Sequence, residues 1–240
     1  MPMRPVRMPG FPAIRSAAAA LAVALVAGSV LFAMTQRFLG EWLLLFPRVV
    51  FQSFALWQPV SYAFIEVSPM GVIFGALILW SIGGALEQTW GARRMVAFSL
   101  GVTVLAGLLT LALAFPVQAV WDRPFAGGAV MTSAIWVAYG LSFGSRQTNF
   151  WGMPVTGNVL ALIGVGFVFL NGAFGSWLAI LPDVFALILT FLYVRVGTPR
   201  MLWLRVGSWR LQRQLKARSR HLTVISDERN TSRDSDRFLH

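Results

Sequence analysis

The sequence predicts an all-α, polytopic membrane protein, and three observations lead to this prediction. Only 12% of the 240 residues are charged, whereas a soluble domain has about 25%. The hydrophobic residues make up 57% of the chain and stand in long runs instead of alternating with polar residues. A helix needs roughly 20 apolar residues to cross a hydrocarbon core about 30 Å thick. Runs without Asp, Glu, Lys or Arg cover residues 16–36, 67–86, 95–121, 124–145 and 147–182.

The first apolar run follows a basic tail, residues 1–15, that has three arginines and no acidic residue. Basic residues before an apolar stretch are typical of a secretory signal peptide. This run is longer than the apolar part of such a peptide, however, and Met34-Thr35-Gln36 is a poor cleavage site. We therefore expect an uncleaved first transmembrane helix at residues 16–36.

Residues 37–66 differ from the runs on either side, because charged residues interrupt them and aromatic residues are frequent. Aromatic rings with a polar edge favour the headgroup zone of a bilayer. We therefore expect a long interfacial loop after the first helix, with short helices lying in the membrane surface. A short span at residues 49–65 is the alternative, and Gln52, Gln58 and Pro59 make it less favourable.

The later spans follow from the remaining apolar runs. Asn171-Gly172 predicts a turn between the last two of them, and residues 117–125 and 145–152 are expected to form loops. Six spans place both termini on one side, and the excess of arginine in the tails predicts that this side is cytoplasmic. We expect the protein in the bacterial inner membrane. The predicted spans after the first are residues 69–88, 94–115, 126–144, 155–170 and 175–194.

The chain thus divides into a basic cytoplasmic N-tail at residues 1–15, a membrane domain at 16–197 and a basic C-tail at 198–240. Arginines in the C-tail alternate with Leu and Trp, which predicts an amphipathic helix on anionic lipids. A topology anchor without a partner of its own is the alternative. The polar residues after 223 predict disorder. The net charge of +11 lies mostly in the tails, so it favours membrane topology over nucleic-acid binding. The basic residues expected at the membrane surface include Arg200, Arg205, Arg210, Arg213 and Lys216.

The composition excludes several kinds of chemistry. The chain has no cysteine, which excludes disulfides, thiolate metal sites and a cysteine nucleophile. Both histidines, His221 and His240, and the one lysine lie in the C-tail, and no His-Glu-x-x-His motif is present to bind zinc. We therefore expect no metal and no cofactor. An aspartyl mechanism needs two facing acids, and Asp183 is the one acid inside a predicted span besides Glu87, which stands at a helix end.

Three stretches resemble the rhomboid superfamily of intramembrane serine proteases. The stretch LWQPVSYAFI, which contains Trp57, is similar to the end of the first rhomboid loop. The stretch ALILWSIGGALEQTWGARRM is similar to the end of the second helix, and Glu87, Gly91 and Arg94 match its Glu-turn-Arg pattern. The stretch TSAIWVAYG is similar to the fourth helix. The resemblance covers about residues 50–197 and implies a six-helix rhomboid-like bundle.

The resemblance also assigns the catalytic positions, and each of them departs from the rhomboid pattern. The nucleophile position is Thr132, with Ser133 in place of the following glycine. The position of the basic histidine is Asp183, with Ala186 and Thr190 as the small residues three and seven positions later. Counting back from Glu87 puts Gly71 and Gly75 where rhomboids carry the two side chains that stabilise the oxyanion. Glycine has no side-chain donor, so an inactive rhomboid, a pseudoprotease, is expected.

Inactive rhomboids bind transmembrane clients, so the resemblance implies that this protein binds a single-span membrane protein in a groove beside the second and fifth helices. A divergent serine endopeptidase that uses Ser133 or Thr132, with Asp183 as the base, is the first alternative. A small transporter is the second.

Single residues carry structural expectations as well. Gly71 and Gly75 form a G-x-x-x-G step that favours close helix packing, with a site left open for a bound segment as the alternative. Asp183 follows Pro182 and is expected to cap a helix start, to bond to Thr132 or Ser133, or to contact a client. Glu87 is expected to pair with Arg93, Arg94 or backbone donors in the turn after its helix.

Overall fold

The computed structural model of the chain describes residues 16–150 and 153–196, and the elements up to Arg195 belong to one compact unit. These residues form helices and one short antiparallel hairpin, so the predicted all-α, polytopic membrane fold is confirmed. A 3₁₀ turn, Tyr62–Phe64, follows α3, and a π-helical segment, Leu79–Gly83, joins α4 to α5. The elements are α1 Ala17–Leu43, α2 Pro47–Ser53, α3 Gln58–Ser61, α4 Pro69–Ile78, α5 Gly84–Trp90, α6 Ala92–Ala114, α7 Gln118–Trp121, α8 Gly128–Phe143, β1 Gln147–Phe150, β2 Met153–Thr156, α9 Gly157–Phe174 and α10 Leu181–Val196.

Four helical stretches in the described residues are long and apolar enough to cross a membrane: α1, Pro69–Trp90, α6 and α9. The helices α8 and α10 have 16 residues each and would rise about 24 Å. The short α8 is the central helix, since it packs against the α4–α5 stretch, α6 and α9. The surface of α8 is therefore in contact with other helices, whereas much of the surface of an outer helix would be in contact with lipid.

Local sequence signals explain where the first two spans begin and where the third follows. Ser16 caps α1 by accepting a bond from the N–H of Ala19, and Ser68 caps α4 in the same way before Pro69. Gly91 lies between α5 and α6 with φ of 82°, a backbone conformation that glycine adopts without strain. One residue thus ends one helix and starts the next.

The first loop agrees in kind with the prediction of short helices, and the alternative span at residues 49–65 is not formed. The helices α2 and α3 are short, and Phe54 between them has a left-handed φ of 54°. The helix α1 is longer than predicted and ends at Leu43, because the charged residues after 36 lie on exposed helix and the next proline is Pro47.

Two predictions for the second half of the bundle are wrong. Asn171-Gly172 is not a turn, because α9 continues to Phe174, and Gly172 serves packing: a Cβ there would lie 2.6 Å from the Ile180 side chain. The sixth helix consequently starts at Leu181. Residues 145–152 are not only a polar loop, since β1 begins at Gln147 and pairs with β2.

Several predictions concern residues outside those that the structure describes. These are the basic N-tail at 1–15 and the C-tail from 198 onward, with its proposed contacts to anionic lipids. The C-tail residues concerned are Arg200, Arg205, Arg210, Arg213 and Lys216.

Candidate functional site

A buried polar pocket lies at the end of the bundle where α4, α8 and α10 begin. Two carboxyl groups belong to it: Glu66 is 9% exposed and Asp183 is 8% exposed. Thr132 is buried and Ser133 is half-buried, both on α8. The surrounding core is otherwise built from apolar side chains of the membrane helices. Burial of a carboxyl group costs free energy unless hydrogen bonds or an opposite charge compensate for the lost water.

Backbone donors hold Glu66 at the junction of the first loop and α4. Its carboxyl group accepts a bond from the N–H of Ser68 at 3.2 Å and lies near the N–H groups of Val67 and Ala129. Ala129 lies in the first turn of α8, which has no side-chain cap of its own, so the Glu66 carboxyl stands where a helix dipole favours negative charge. The N–H of Glu66 donates to Ser29 Oγ at 2.9 Å. Burial nevertheless raises the pKa of Glu66 above its usual range.

Asp183 lies in the first turn of α10 and faces α8. Ser133 Oγ lies 3.4 Å from Asp183 Oδ1 and 3.0 Å from the carbonyl oxygen of Val130. A hydroxyl has one proton to donate, and the shorter distance favours the Val130 carbonyl. Asp183 thus combines two of the expected positions, a helix start and a contact with Ser133.

Gly71 and Gly75 both face this pocket. A Cβ at Gly71 would lie 2.7 Å from Cδ of Glu66, so the Glu66 carboxyl group fills the space that a side chain at Gly71 would need. A Cβ at Gly75 would lie 3.0 Å from the Leu25 side chain and 3.3 Å from Thr132 Oγ1. The G-x-x-x-G step therefore packs α4 against α1 and α8 and also makes room for a buried acid.

This arrangement does not have the geometry of a serine hydrolase. Thr132 Oγ1 donates its proton to the carbonyl of Gly128 at 2.8 Å. Ser133 Oγ lies 3.4 Å from Asp183 Oδ1, beyond the roughly 2.6–3.2 Å that a general base needs in a reacting complex, and its closer partner is the carbonyl of Val130. Instead of an oxyanion donor, the pocket has the Glu66 carboxyl group against Gly71. The two acids can take up protons, and no nucleophile is assembled among the described residues.

Besides Asp183, which is the one acid inside a predicted span apart from Glu87, the loop before α4 contributes a second buried acid, Glu66. Glu66 accepts a bond from the N–H of Ser68, and Asp183 lies 3.4 Å from Ser133 Oγ; no hydrogen bond joins the two acids in the described residues. The two acids of an aspartic protease, by contrast, share one proton at about 3 Å. The loop residue that precedes α4 in sequence is thus brought beside the start of α10.

Tyr62 fixes the loop that carries Glu66. It is fully buried, and its hydroxyl donates to the carbonyl of Thr103 on α6. Glycines hold its ring on two sides: a Cβ at Gly107 would lie 2.9 Å from Cζ, and one at Gly127 would lie 2.7 Å from Cε2. Burial raises the pKa of Tyr62, so the hydroxyl keeps its proton and remains a donor. The close packing of this ring sets the position of the loop exit.

The opposite end of the bundle holds the other predicted structural residues. Glu87 does not pair with Arg93 or Arg94; it accepts bonds from the N–H groups of Ala17, at 3.1 Å, and Ala18, at 2.9 Å. These donors belong to the start of α1, whose helix dipole favours a carboxylate there. The expectation of donors in the adjacent turn is therefore corrected, because the first helix brings unpaired N–H groups to Glu87.

Arg94 has a different set of partners. Its guanidinium lies over the ring of Trp90, at 4.8 Å from the centroid, and over that of Tyr193, at 5.6 Å. Its Nε also donates to the Tyr193 hydroxyl at 3.1 Å. Arg93, the neighbouring residue, is exposed. The contacts of Arg94 tie α10 to the turn between α5 and α6.

The remaining predicted residues lie outside the pocket or in the helix packing around it. Trp57 is half-exposed, stacks on Trp42 and donates to the carbonyl oxygen of Trp42 at 3.0 Å. Ala186 and Thr190 follow Asp183 on α10 and are fully buried. The Thr190 hydroxyl has no hydrogen-bond partner among the described residues.

An apolar groove of about 790 Å³ runs between α1 and the α4–α5 stretch. Its α1 wall extends from Ala19 to Met34, about 22 Å along the helix at 1.5 Å per residue. The π-helical segment contributes Trp80 to the other wall. Alanines form much of the lining, namely Ala19, Ala22, Ala27 and Ala76.

The chain matches the family described as Eukaryotic integral membrane protein (DUF1751) over residues 19–196, about three quarters of its length. It belongs to the DUF1751 family. A comparison with curated proteins gives no match. Membership of DUF1751 confirms an integral membrane protein and covers all the membrane helices described above.

Membership of DUF1751 also corrects two predictions. The assignment to the rhomboid superfamily is wrong, because the family that matches is one of eukaryotic integral membrane proteins. The stretches that carried the resemblance are short and largely apolar, and membrane helices of many families share such sequence. The bacterial inner membrane is not supported as the location either, because the DUF1751 family is eukaryotic.

Sequence reasoning missed Glu66, Tyr62 and Ser29 as parts of the site in this DUF1751 protein. Glu66 stood out only as one of several charges in the first loop. The sequence signal that could have found Glu66 is its position two residues before Ser68, the residue that caps the start of α4. Ser29 and Tyr62 gave no signal, because their neighbours in sequence are apolar.

Proposed function

We propose that this protein acts without catalysis and holds the transmembrane helix of a single-span client in the groove between α1 and α4–α5. The observation that carries the proposal is the groove itself, which is almost entirely apolar and opens on the outer surface of the helices. The groove beside the second and fifth helices that the rhomboid resemblance implied is not needed for this proposal.

The dimensions of the groove support a helix as the bound group. A length of about 22 Å is most of a hydrocarbon core about 30 Å thick. Between membrane helices there is no hydrophobic driving force, so association depends on close backbone approach at small residues. Ala22, Ala27 and Ala76 in the groove provide such a surface. Large side chains of a client helix would fit against them.

The polar pocket supports a function without catalysis. Both hydroxyl groups on α8 donate to carbonyl groups of their own helix, at 2.8 Å and 3.0 Å, and the Glu66 carboxyl group fills the space over Gly71. The endopeptidase alternative would require Ser133 to lose its bond to Val130 and an oxyanion donor to come from elsewhere. For the transporter alternative, the groove has an almost entirely apolar lining and no charged side chain.

Site-specific photocrosslinking in native membranes tests the proposal. A photoreactive residue at Val23, which lines the groove, is compared with one at Leu162, an exposed position on α9. We expect Val23 to give a discrete adduct with a single-span protein and Leu162 to give none. The adduct should disappear when the client's transmembrane segment is replaced by polyleucine, and when Ala76→Phe fills the groove.

Ala112→Phe, at an exposed position on α6, is the matched control and should leave the adduct unchanged. Adducts with lipid alone, equal adducts from both positions, or an adduct that survives Ala76→Phe would overturn the proposal. A fluorophosphonate probe separates the catalytic alternative. We expect no labelling, and labelling that Ser133→Ala abolishes would establish a serine hydrolase instead.

A further inference from the structure

Two buried acids at the Glu66 end of the bundle have no cation to balance them among the described residues. The ion pair found there, Arg48 with Asp122 at 3.8 Å, is exposed and involves neither acid. Glu66 packs against the start of α8, where a Cβ at Gly128 would lie 2.9 Å from Glu66 Cβ, and Asp183 lies in the first turn of α10. Two helix N-termini thus face two carboxyl groups that repel each other when both are ionised.

The Glu66 carboxyl belongs to a small set of contacts, here called the loop joint, between residues 62–68 and the start of α8. The N–H of Gly128 donates to the carbonyl of Ile65, and the N–H of Gly127 donates to that of Tyr62, both at 2.9 Å. The bond between the N–H of Glu66 and Ser29 Oγ adds α1 to the joint. Any change in the space or charge around Glu66 acts directly on these bonds.

We propose that the loop joint is a proton-controlled latch, in which proton uptake by the Glu66–Asp183 pair tightens the contact between the first loop and α8. With one acid neutral, the repulsion between the carboxyl groups disappears and the joint closes. With both acids ionised, the repulsion loosens residues 62–68 and the start of α4.

The groups that face Glu66 are known for each element packed against it. From α1 the contact is Ser29, from α4 it is Gly71, and from α8 the contacts are Gly128 and Ala129. None of these side chains titrates. The titratable neighbours in the described residues are therefore Asp183 on α10 and, acted on by Asp183, Tyr62, whose pKa is raised by burial.

The sign of the pH dependence follows from Glu66. Burial raises its pKa in the folded protein, so the closed joint binds the proton more tightly than the open one. The stabilisation is fully present below the ordinary pKa of a glutamate, about 4.3, and is lost as pH rises through the raised pKa. The latch thus closes on acidification.

Hydrogen–deuterium exchange of the full chain in nanodiscs of neutral lipid tests this latch. Amide protection of residues 62–71, corrected for intrinsic exchange, is measured from about pH 5 to about pH 8, a range that extends above the ordinary glutamate value. We expect wild-type protection to fall roughly tenfold as pH rises, which corresponds to about 1.4 kcal/mol. Glu66→Gln should keep high protection at every pH. Glu41→Gln changes an exposed acid at the same end and should behave as wild type.

Asp183→Asn provides a second, independent variant, should Glu66→Gln fail to fold. Without the Asp183 charge, the fall in protection should move to lower pH. A Glu66→Gln variant with wild-type pH dependence, an Asp183→Asn variant whose fall in protection does not move, or a wild type without pH dependence would each overturn the proposal.

Discussion

The carboxyl groups at the two ends of the helix bundle differ in burial and in hydrogen bonding. At one end, Glu87 is partly exposed and accepts two short backbone bonds from the start of α1. At the other end, Glu66 and Asp183 are buried, and the Asp183 contact with Ser133 is long, at 3.4 Å. Arginine does not account for the difference, because none pairs with Glu87, Glu66 or Asp183 in the described residues.

This difference shows that the partners of a carboxyl group decide what it does. Glu87 faces two N–H groups that no other residue of α1 bonds, so its charge is held in place and its contribution is structural. Glu66 also faces N–H groups, but burial and a second acid oppose its charge. We therefore expect the Glu87 end to act as a fixed connection and the Glu66 end to respond to its surroundings.

The largest effect should come from removing the side chain that packs the Glu66 end. Tyr62→Ala empties the space between Gly107 and Gly127 and removes the donor to Thr103. Deleting a large buried aromatic side chain costs about 3–5 kcal/mol. The free energy of unfolding in detergent, followed by the loss of helical signal, measures the change.

Tyr62→Phe is the matched control, because it keeps the ring and removes only the hydroxyl donor. The Thr103 carbonyl keeps its bond within α6, so the loss should be that of one ordinary hydrogen bond, about 0.5–1.5 kcal/mol. A Tyr62→Ala variant that loses no more stability than Tyr62→Phe would mean that the ring does not hold the loop. The comparison of the two ends would then fail, since the Glu66 end would be loose in either protonation state.

The second effect concerns the fixed connection at the other end. Glu87→Ala leaves the N–H groups of Ala17 and Ala18 without their acceptor. Loss of bonds to a charged group costs about 1.5–3 kcal/mol, and the start of α1 should exchange its amide hydrogens faster. Unfolding free energy and hydrogen exchange of residues 17–20 measure the two changes.

Glu87→Gln sharpens the same comparison, because an amide keeps one acceptor oxygen and has no charge. It should lose about half as much stability as Glu87→Ala, and neither variant should alter the pH dependence of residues 62–71. If Glu87→Ala removed that pH dependence, the two ends of the bundle would be energetically coupled and would not respond independently.

Much of the architecture could be predicted because the signals are local. Charge-free runs, Ser68-Pro69 and Gly91 mark helix positions through length, capping and backbone conformation, and each depends on a few neighbouring residues. Asn171-Gly172 misled because a glycine in a membrane helix serves close packing as readily as a turn, and here Ile180 and Trp177 occupy the space beside Gly172. The helix therefore continues where a soluble protein would turn.

The candidate site could be predicted only in part. That Thr132, Ser133, Asp183, Gly71 and Gly75 share one site was implied only by the rhomboid resemblance, which the family match overturns. Glu66 reaches the same place from a loop, and its contact with α8 depends on how Tyr62 packs between two glycines far away in sequence. The spacing of apolar residues along the sequence does not predict such a contact between distant segments. The same limit applies to Glu87, whose donors come from a helix about 70 residues earlier.

The smallest effect should separate two neighbouring arginines at the Glu87 end. Arg94→Leu removes a cation over the rings of Trp90 and Tyr193 and a bond to the Tyr193 hydroxyl. Cation–π contacts at exposed sites contribute about 0.5–1 kcal/mol, so the loss of unfolding free energy should be of that order. The fluorescence of Trp90 should change with it.

Arg93→Leu makes the same change of charge and size at an exposed neighbour and should cost less than about 0.5 kcal/mol. Equal losses for the two variants would mean that the positive charge of this end matters and the specific contacts of Arg94 do not, so the Glu87 end would no longer count as a fixed connection.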